Sequence, residues 1–203
     1  MRKILVAVLL LGTQAAARSE EAPNASGGYL DLTLRDMHGH AFKYSQVKGK
    51  LNVVMFFSTR CPISNAFNFR RNTLYQTFRQ QVTFIAVDSN VNETLEEVRM
   101  YAREVGFDFP VYKDESNVMA DHFGALVTTE CFVLDSSGVV RYRGHIEDSP
   151  HAERSRLHGL RVALEAILAG KPVEIPLTKA LGCSIRRNHV PHNGVATAGR
   201  GAL

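Results

Sequence analysis

Short apolar runs bounded by turn residues alternate along this chain with longer stretches of helical spacing. Val53 to Phe57 is five consecutive apolar residues, β-branched and aromatic, and predicts a buried strand. Val82 to Val87 predicts a second buried strand and Cys131 to Leu134 a third, the last followed by a Ser136-Ser137-Gly138 turn and an antiparallel partner over Val139 to Arg143. Earlier, Leu30, Leu32 and Leu34 alternate to one side of a strand over Tyr29 to Leu34, and after the Asp36 to Gly39 turn Ala41 to Tyr44 returns as its hairpin partner. Between the strands, Ile63, Phe67, Leu74, Tyr75 and Phe78 recur near helical spacing and predict a helix from Pro62 to Gln80. A second helix opens at Asn92 or Glu93 and runs through Val105, with Leu95, Val98, Tyr101 and Ala102 inward. Phe109 to Tyr112 reads as a short strand, which the proline at Pro110 assigns to a sheet edge. Asn117 to Phe123 forms a short helix, and Leu157 to Ala169 forms the last one, closed by Gly170 and Pro172.

Strands alternating with helices predict an α/β fold with a parallel core, to which the late hairpin adds an antiparallel edge. No internal repeat and no second core interrupts this order. Residues 18–28 are polar and aperiodic, a flexible lead-in, and residues 171–203 form a tail with little periodicity that carries Cys183. The domain proper spans residues 29–170.

Residues 1–17 have a different character. Arg2 and Lys3 precede the apolar run Ile4 to Leu11, and Ala15-Ala16-Ala17 offers a small-residue cleavage site, the pattern of a secretory signal peptide. The run is far shorter than the roughly 20 residues that span a bilayer. The expected product is exported, periplasmic or secreted, with no membrane attachment after cleavage. The formal charge of +4 falls once Arg2 and Lys3 leave, which gives no basis for nucleic-acid binding. Export also places Cys61, Cys131 and Cys183 in an oxidising compartment, where three thiols cannot all pair within one chain.

Cys61 is the candidate centre of the chemistry. It falls in the turn after the Val53 to Phe57 strand, and Pro62 sits where a helix can begin without losing a hydrogen bond. A thiol at a strand-to-helix junction faces the positive end of the helix macrodipole, which favours thiolate and hence nucleophilic reactivity. The alternative is a small buried hydrophobe. Cys183, in a polar glycine-flanked segment, suits a mobile second thiol, or is an unpaired surface cysteine. Cys131 shares a strand face with Thr129 and is either core or a partner for Cys61. Cys183, His189 and His192 also have metal-ligand chemistry, although the histidines read more simply as solvated, and no metal or other cofactor is assigned.

The segments LDLTLRDMHGHAFKYSQVKGKLNVVMFFSTRCPISN and TTECFVLDSSGVVRYRGHIED resemble the redoxin group of the thioredoxin superfamily, which includes peroxiredoxin and alkyl hydroperoxide reductase relatives and exported thiol–disulfide oxidoreductases. The TKALGCSIRR tail is similar to the Gly-Cys endings of exported redoxin-domain proteins. The resemblance implies a thioredoxin-like sandwich, a central mixed sheet flanked by helices, with Cys61 at the head of the first long helix. It implies an oxidoreductase whose partners are a thiol or disulfide protein, a small thiol electron donor, or a peroxide. The departures are specific. Ser64 stands where C-x-x-C proteins keep a second thiol, so it can donate a hydrogen bond to Cys61 but cannot resolve a mixed disulfide. Ser58 fills the hydroxyl position of the peroxiredoxin P-x-x-x-[TS]-x-x-C pattern, while Val54 replaces its proline. Thr129 stands where thioredoxins keep a cis-proline, and Arg60 is either the positive charge beside Cys61 or a solvated side chain. The missing proline and arginine favour thiol–disulfide exchange over peroxide reduction, with Cys183 or an external thiol completing turnover. A non-enzymatic metal-binding or interaction module is the alternative.

Overall fold

The run Asn52–Phe57 forms strand β3, buried at every position because both faces of the sheet are covered. In the computed structural model, which describes residues 31–188, β3 is flanked by β4 (Thr83–Asp88) in parallel and β6 (Cys131–Leu134) antiparallel. The sheet continues from β4 to β5 (Val111–Lys113), β1 (Thr33–Asp36) and β2 (Ala41–Lys43), and from β6 to β7 (Val140–Gly144), giving the order β2-β1-β5-β4-β3-β6-β7. The signal peptide, the lead-in, His189 and His192 lie outside the described residues.

Alternation along β3 divides the core. Val53, Met55 and Phe57 face α3 (Asn68–Phe78), α4 (Leu95–Glu104) and α6 (Gly159–Leu168), whose Leu74, Phe78, Val98, Leu160 and Leu164 complete one cluster. Val54 and Phe56 face the other way, onto Tyr44 of α1 (Tyr44–Val47), Met119 and Ala120 of α5 (Val118–His122), and Ile185 of the tail. Among the described residues no helix is long and apolar enough to cross a membrane.

Two expectations change. The strand with Pro110 is not an edge: β5 pairs with both β4 and β1. Pro110 lies one residue before it, and the proline carbonyl accepts the Ala86 amide at 3.1 Å, so its missing donor costs the ladder nothing. The expected Pro62–Gln80 helix is split into α2 (Pro62–Asn65) and α3. The Ser64 carbonyl, which would accept from Asn68 in a continuous helix, is taken by the Phe67 amide at 3.0 Å and by Arg71 Nη1 at 2.7 Å.

Candidate active site

Cys61 occupies the N-cap of α2, with extended backbone at φ −89° and ψ 113°, and Pro62 takes the first helical position. Its Sγ accepts the Ser64 amide at 3.4 Å, as a serine oxygen would at an N-cap. Because α2 is a single turn, this local amide, rather than a long macrodipole, is what the helix contributes, and the dipole expectation is corrected accordingly. Ser58 fixes the approach: its Oγ accepts the amides of Cys61 at 3.2 Å and Arg60 at 3.1 Å. The same hydroxyl donates to Glu93 Oε1 at 2.5 Å, and Glu93 Oε2 takes both the amide and the hydroxyl of Thr59 at 2.6 Å. Buried Glu93, in the loop before α4, thus holds the turn that presents Cys61. Sequence reasoning assigned Glu93 only to the start of a helix, and nothing in its spacing marked this role.

The tail returns to the same place. The Cys183 amide donates to Cys61 Sγ at 3.3 Å across 122 positions of sequence. Thr128 donates its amide to the Cys183 carbonyl at 2.9 Å, Ile185 donates to Leu126 O at 3.0 Å, and Val127 and Ser184 form an antiparallel bridge. Further along, Arg186 donates its amide to Asn90 Oδ1 at 3.0 Å and accepts from Val91 at 3.1 Å. The segment expected to be mobile is therefore held by hydrogen bonds at Leu181, Cys183, Ile185, Arg186 and Asn188, with one antiparallel bridge at Ser184. Gly182 permits this, since a Cβ there would lie 2.7 Å from Thr128 O.

Burial raises the Cys61 pKa, but hydrogen bonds from the Cys183 and Thr128 side chains and from the Ser64 and Cys183 amides outweigh it, leaving the group below the ordinary thiol value of 9.0. Cys183 is shifted the other way, to about 11, chiefly by its side-chain hydrogen bond to Cys61 and then by burial. Cys61 is 2% exposed, whereas Cys183 is open to solvent. The pair thus has the more acidic sulfur sheltered beneath the less acidic one.

The other sequence candidates are distributed around this pair. Thr129 does not face Cys61; its hydroxyl holds the tail by donating to Leu181 O at 2.5 Å. Thr128, its neighbour, is fully buried and is among the groups that lower the Cys61 pKa. Arg60 is exposed and paired with Glu97. The cation buried behind the site is Arg71, which was not singled out from sequence; it donates from Nη2 to Ser64 Oγ at 3.1 Å. Cys131 lies in the core and donates its thiol to Gly144 O at 3.2 Å, and burial drives its pKa well above the thiol range. Among the described residues no three His, Cys, Asp or Glu side chains converge to hold a metal.

A family model described as the AhpC/TSA family matches residues 27–143. The chain belongs to the AhpC/TSA family. Among curated relatives, this AhpC/TSA protein is 31% identical over 114 residues to the thiol-disulfide oxidoreductase ResA of Geobacillus kaustophilus, covering 55% of this chain and 63% of that relative's length. It is 30% identical over 139 residues to the chloroplastic peroxiredoxin Q of Sedum lineare, covering 61% of this chain and 71% of the relative. Among solved structures, a hypothetical protein of Sinorhizobium meliloti 1021 superposes with a TM-score of 0.73 at 26% identity, covering 86% of this chain and 98% of that one. A thioredoxin-like protein in its oxidised form superposes with a TM-score of 0.53 at 19% identity, over 64% of this chain and 86% of that one, a likeness of fold. The fold is the thioredoxin-like mixed sheet flanked by helices. The family match ends at Arg143, before the tail that carries Cys183.

Proposed function

We propose that this protein is an exported thiol-dependent oxidoreductase whose redox centre is the Cys61–Cys183 pair. The observation that carries the reading is the 3.3 Å contact between the Cys183 amide and Cys61 Sγ, made by a tail whose backbone bonds residues 126 and 128 beside it. Cys61 as thiolate attacks one sulfur of a disulfide RSSR, giving Cys61–S–S–R and a thiolate RS⁻. Cys183 gives its proton to that thiolate, attacks Cys61 Sγ and expels the second RS⁻, leaving a Cys61–Cys183 disulfide and two reduced thiols. An external thiol or dithiol then reduces the pair. Export rests on the leader pattern of residues 1–17.

Peroxide reduction is a second reading, favoured by the burial of Cys61, which a peroxide reaches more readily than a protein disulfide does. There the thiolate takes the terminal peroxide oxygen with its proton to become a sulfenic acid, the alkoxide or hydroxide leaves and is protonated by water, and Cys183 condenses with the sulfenic acid to release water.

The test is a disulfide map of the purified protein by mass spectrometry before and after one equivalent of hydrogen peroxide or of oxidised glutathione, with Cys61→Ser and Cys183→Ser as controls. A Cys61–Cys183 bond that thiols reverse is the expected result. A Cys61 that remains a thiol under both challenges overturns the redox reading.

A further inference from the structure

Arg71 is fully buried, and among the described residues it forms no ion pair with any carboxylate. Its guanidinium spends its bonds on neutral acceptors: Nη1 on Ser64 O at 2.7 Å and Asn68 Oδ1 at 3.1 Å, and Nη2 on Ser64 Oγ at 3.1 Å, while Nε has no partner. Burial pulls its pKa down to about 10, which still leaves it cationic at neutral pH. An isolated buried charge is costly, so a compensating anion is required.

The groups around it narrow the choice. Cys131 lies on the sheet side, but its thiol donates to Gly144 O and burial keeps it protonated. Tyr101 of α4 is linked through Asn68, whose Nδ2 donates to its hydroxyl at 2.6 Å, and burial raises that phenol also. Arg70, the neighbouring cation, is engaged by Glu147 at 2.7 Å, and Glu93 is taken up by Ser58 and Thr59. Of these groups Cys61 is the one whose pKa is lowered and that shares a contact residue with the guanidinium: the Ser64 amide donates to its sulfur and the Ser64 hydroxyl accepts from Arg71.

We propose that Arg71 is a positioning residue that supplies the buried counter-charge of the Cys61 thiolate through Ser64, and so makes the Cys61–Cys183 disulfide an oxidising one. This rests on the redox pair proposed above. When the bond forms, the negative charge on Cys61 is lost while the guanidinium stays buried, so oxidation leaves Arg71 without its anion. A pair whose reduced form is favoured in this way is a strong oxidant. The favoured half of the cycle proposed above is then its second, in which the external dithiol, on a protein or a small molecule, is the substrate that the pair oxidises. One of its thiolates attacks Cys183 Sγ, the exposed sulfur, and Cys61 departs as the lower-pKa leaving group. The second substrate thiolate attacks its own sulfur in the mixed disulfide, and Cys183 leaves and takes up a proton. The dithiol has become a disulfide, and Cys61–Cys183 has become thiolate and thiol.

The experiment equilibrates wild type, Arg71→Met and Arg71→Lys in glutathione redox buffers and follows the thiolate absorbance of each across pH. Arg71→Met is expected to shift the equilibrium at least tenfold toward the disulfide, equivalent to about 30 mV for this two-electron couple, and to raise the Cys61 pKa by about one unit. Arg71→Lys, which keeps the charge, should restore most of both. If Arg71→Met fails to fold, Ser64→Ala removes the hydroxyl that accepts from Arg71 Nη2 while keeping the amide on Cys61, and should move both readouts in the same direction, and wild type itself should melt at higher temperature reduced than oxidised. Readouts within twofold of wild type in the soluble variants, or an oxidised form that melts higher, overturn the inference. Absence of any Cys61–Cys183 bond in wild type instead overturns the redox pair on which it rests.

Discussion

Gly182→Ala tests whether the backbone pairing of the tail sets the reactivity of Cys61. The new Cβ would lie 2.7 Å from Thr128 O, 3.1 Å from its carbonyl carbon and 3.2 Å from its nitrogen, all of them backbone atoms with no rotamer by which to retreat. Reaching an ordinary contact of 3.4 Å requires the strap to lift by about 0.7 Å. That would stretch the Thr128 N to Cys183 O bond from 2.9 Å and the Cys183 N to Cys61 Sγ contact from 3.3 Å past useful hydrogen-bond length. Two hydrogen bonds at about 1 kcal/mol each, with part of the Thr129 to Leu181 bond, amount to roughly 2–3 kcal/mol of strap docking. The closed population then falls about 30- to 150-fold. The assay is the effective concentration of Cys183 toward Cys61, taken from the ratio of intramolecular disulfide to glutathione mixed disulfide. Thr129→Val, which removes only the bond to Leu181 O, should lower it by about fivefold, on the order of 1 kcal/mol. An effective concentration within twofold of wild type for Gly182→Ala would refute the reasoning, because the tail would then reach Cys61 without its backbone register.

Two further outcomes are expected. Cys131→Ala should cost about 1 kcal/mol of stability, from a lost hydrogen bond and a small cavity, and leave the redox equilibrium unchanged; a redox shift would assign Cys131 to the site. Burial raises the Asp88 pKa from 3.8 to about 7 against the pull of Lys113, so the protonated form contributes stability that is complete below 3.8 and is lost as pH rises through about 7. Lys113→Met should therefore cost about 3–5 kcal/mol in urea unfolding above that window and distinctly less below it; an equal cost at both ends would sink the argument.

The parts of this protein legible in its sequence are those fixed within a few residues. A β-branched run ending in Cys-Pro is a local pattern, and it located β3, the N-cap role of Cys61 and the start of α2. β6 occupies the residues its apolar run indicates, since a strand covered on both faces needs no alternation. The split between α2 and α3 was not legible, because Ala66 and Phe67 carry no helix-breaking signal. The break follows from Arg71 taking the Ser64 carbonyl, a contact defined only after the helix has turned. Thr129 rather than Thr128 was singled out because the resemblance places it where thioredoxins keep a cis-proline; both residues precede β6, where the chain meets the tail. The tail was legible as a Gly182-Cys183 pair in a polar segment similar to the endings of exported redoxin-domain proteins. It has almost no apolar periodicity because Ile185 is the one buried hydrophobe between Leu181 and Asn188, and much of the rest is held through its backbone by residues 126 and 128 and the side chains of Asn90 and Asn117, which ask for no particular side chain in return.

Ser64 connects the departure from C-x-x-C with the position of the tail. Its hydroxyl accepts Arg71 Nη2 at 3.1 Å and the Ser58 amide at 3.2 Å, two donors that a thiol would satisfy poorly because sulfur is a weak acceptor. A cysteine at that position would leave Arg71 with one fewer bond in a place where water cannot replace it. On the redox reading, a site that keeps a buried guanidinium behind its reactive thiol therefore requires its second thiol from outside the helix. The solvent side of Cys61 is the side left open by Ser58, Ser64 and Arg71, and that is where residues 181–188 bring Cys183, covering the sulfur and supplying the amide of Cys183 in the same step. On that same reading Arg71, Ser64 and the tail form one arrangement, in which the serine of CPIS leaves the resolving role to Cys183.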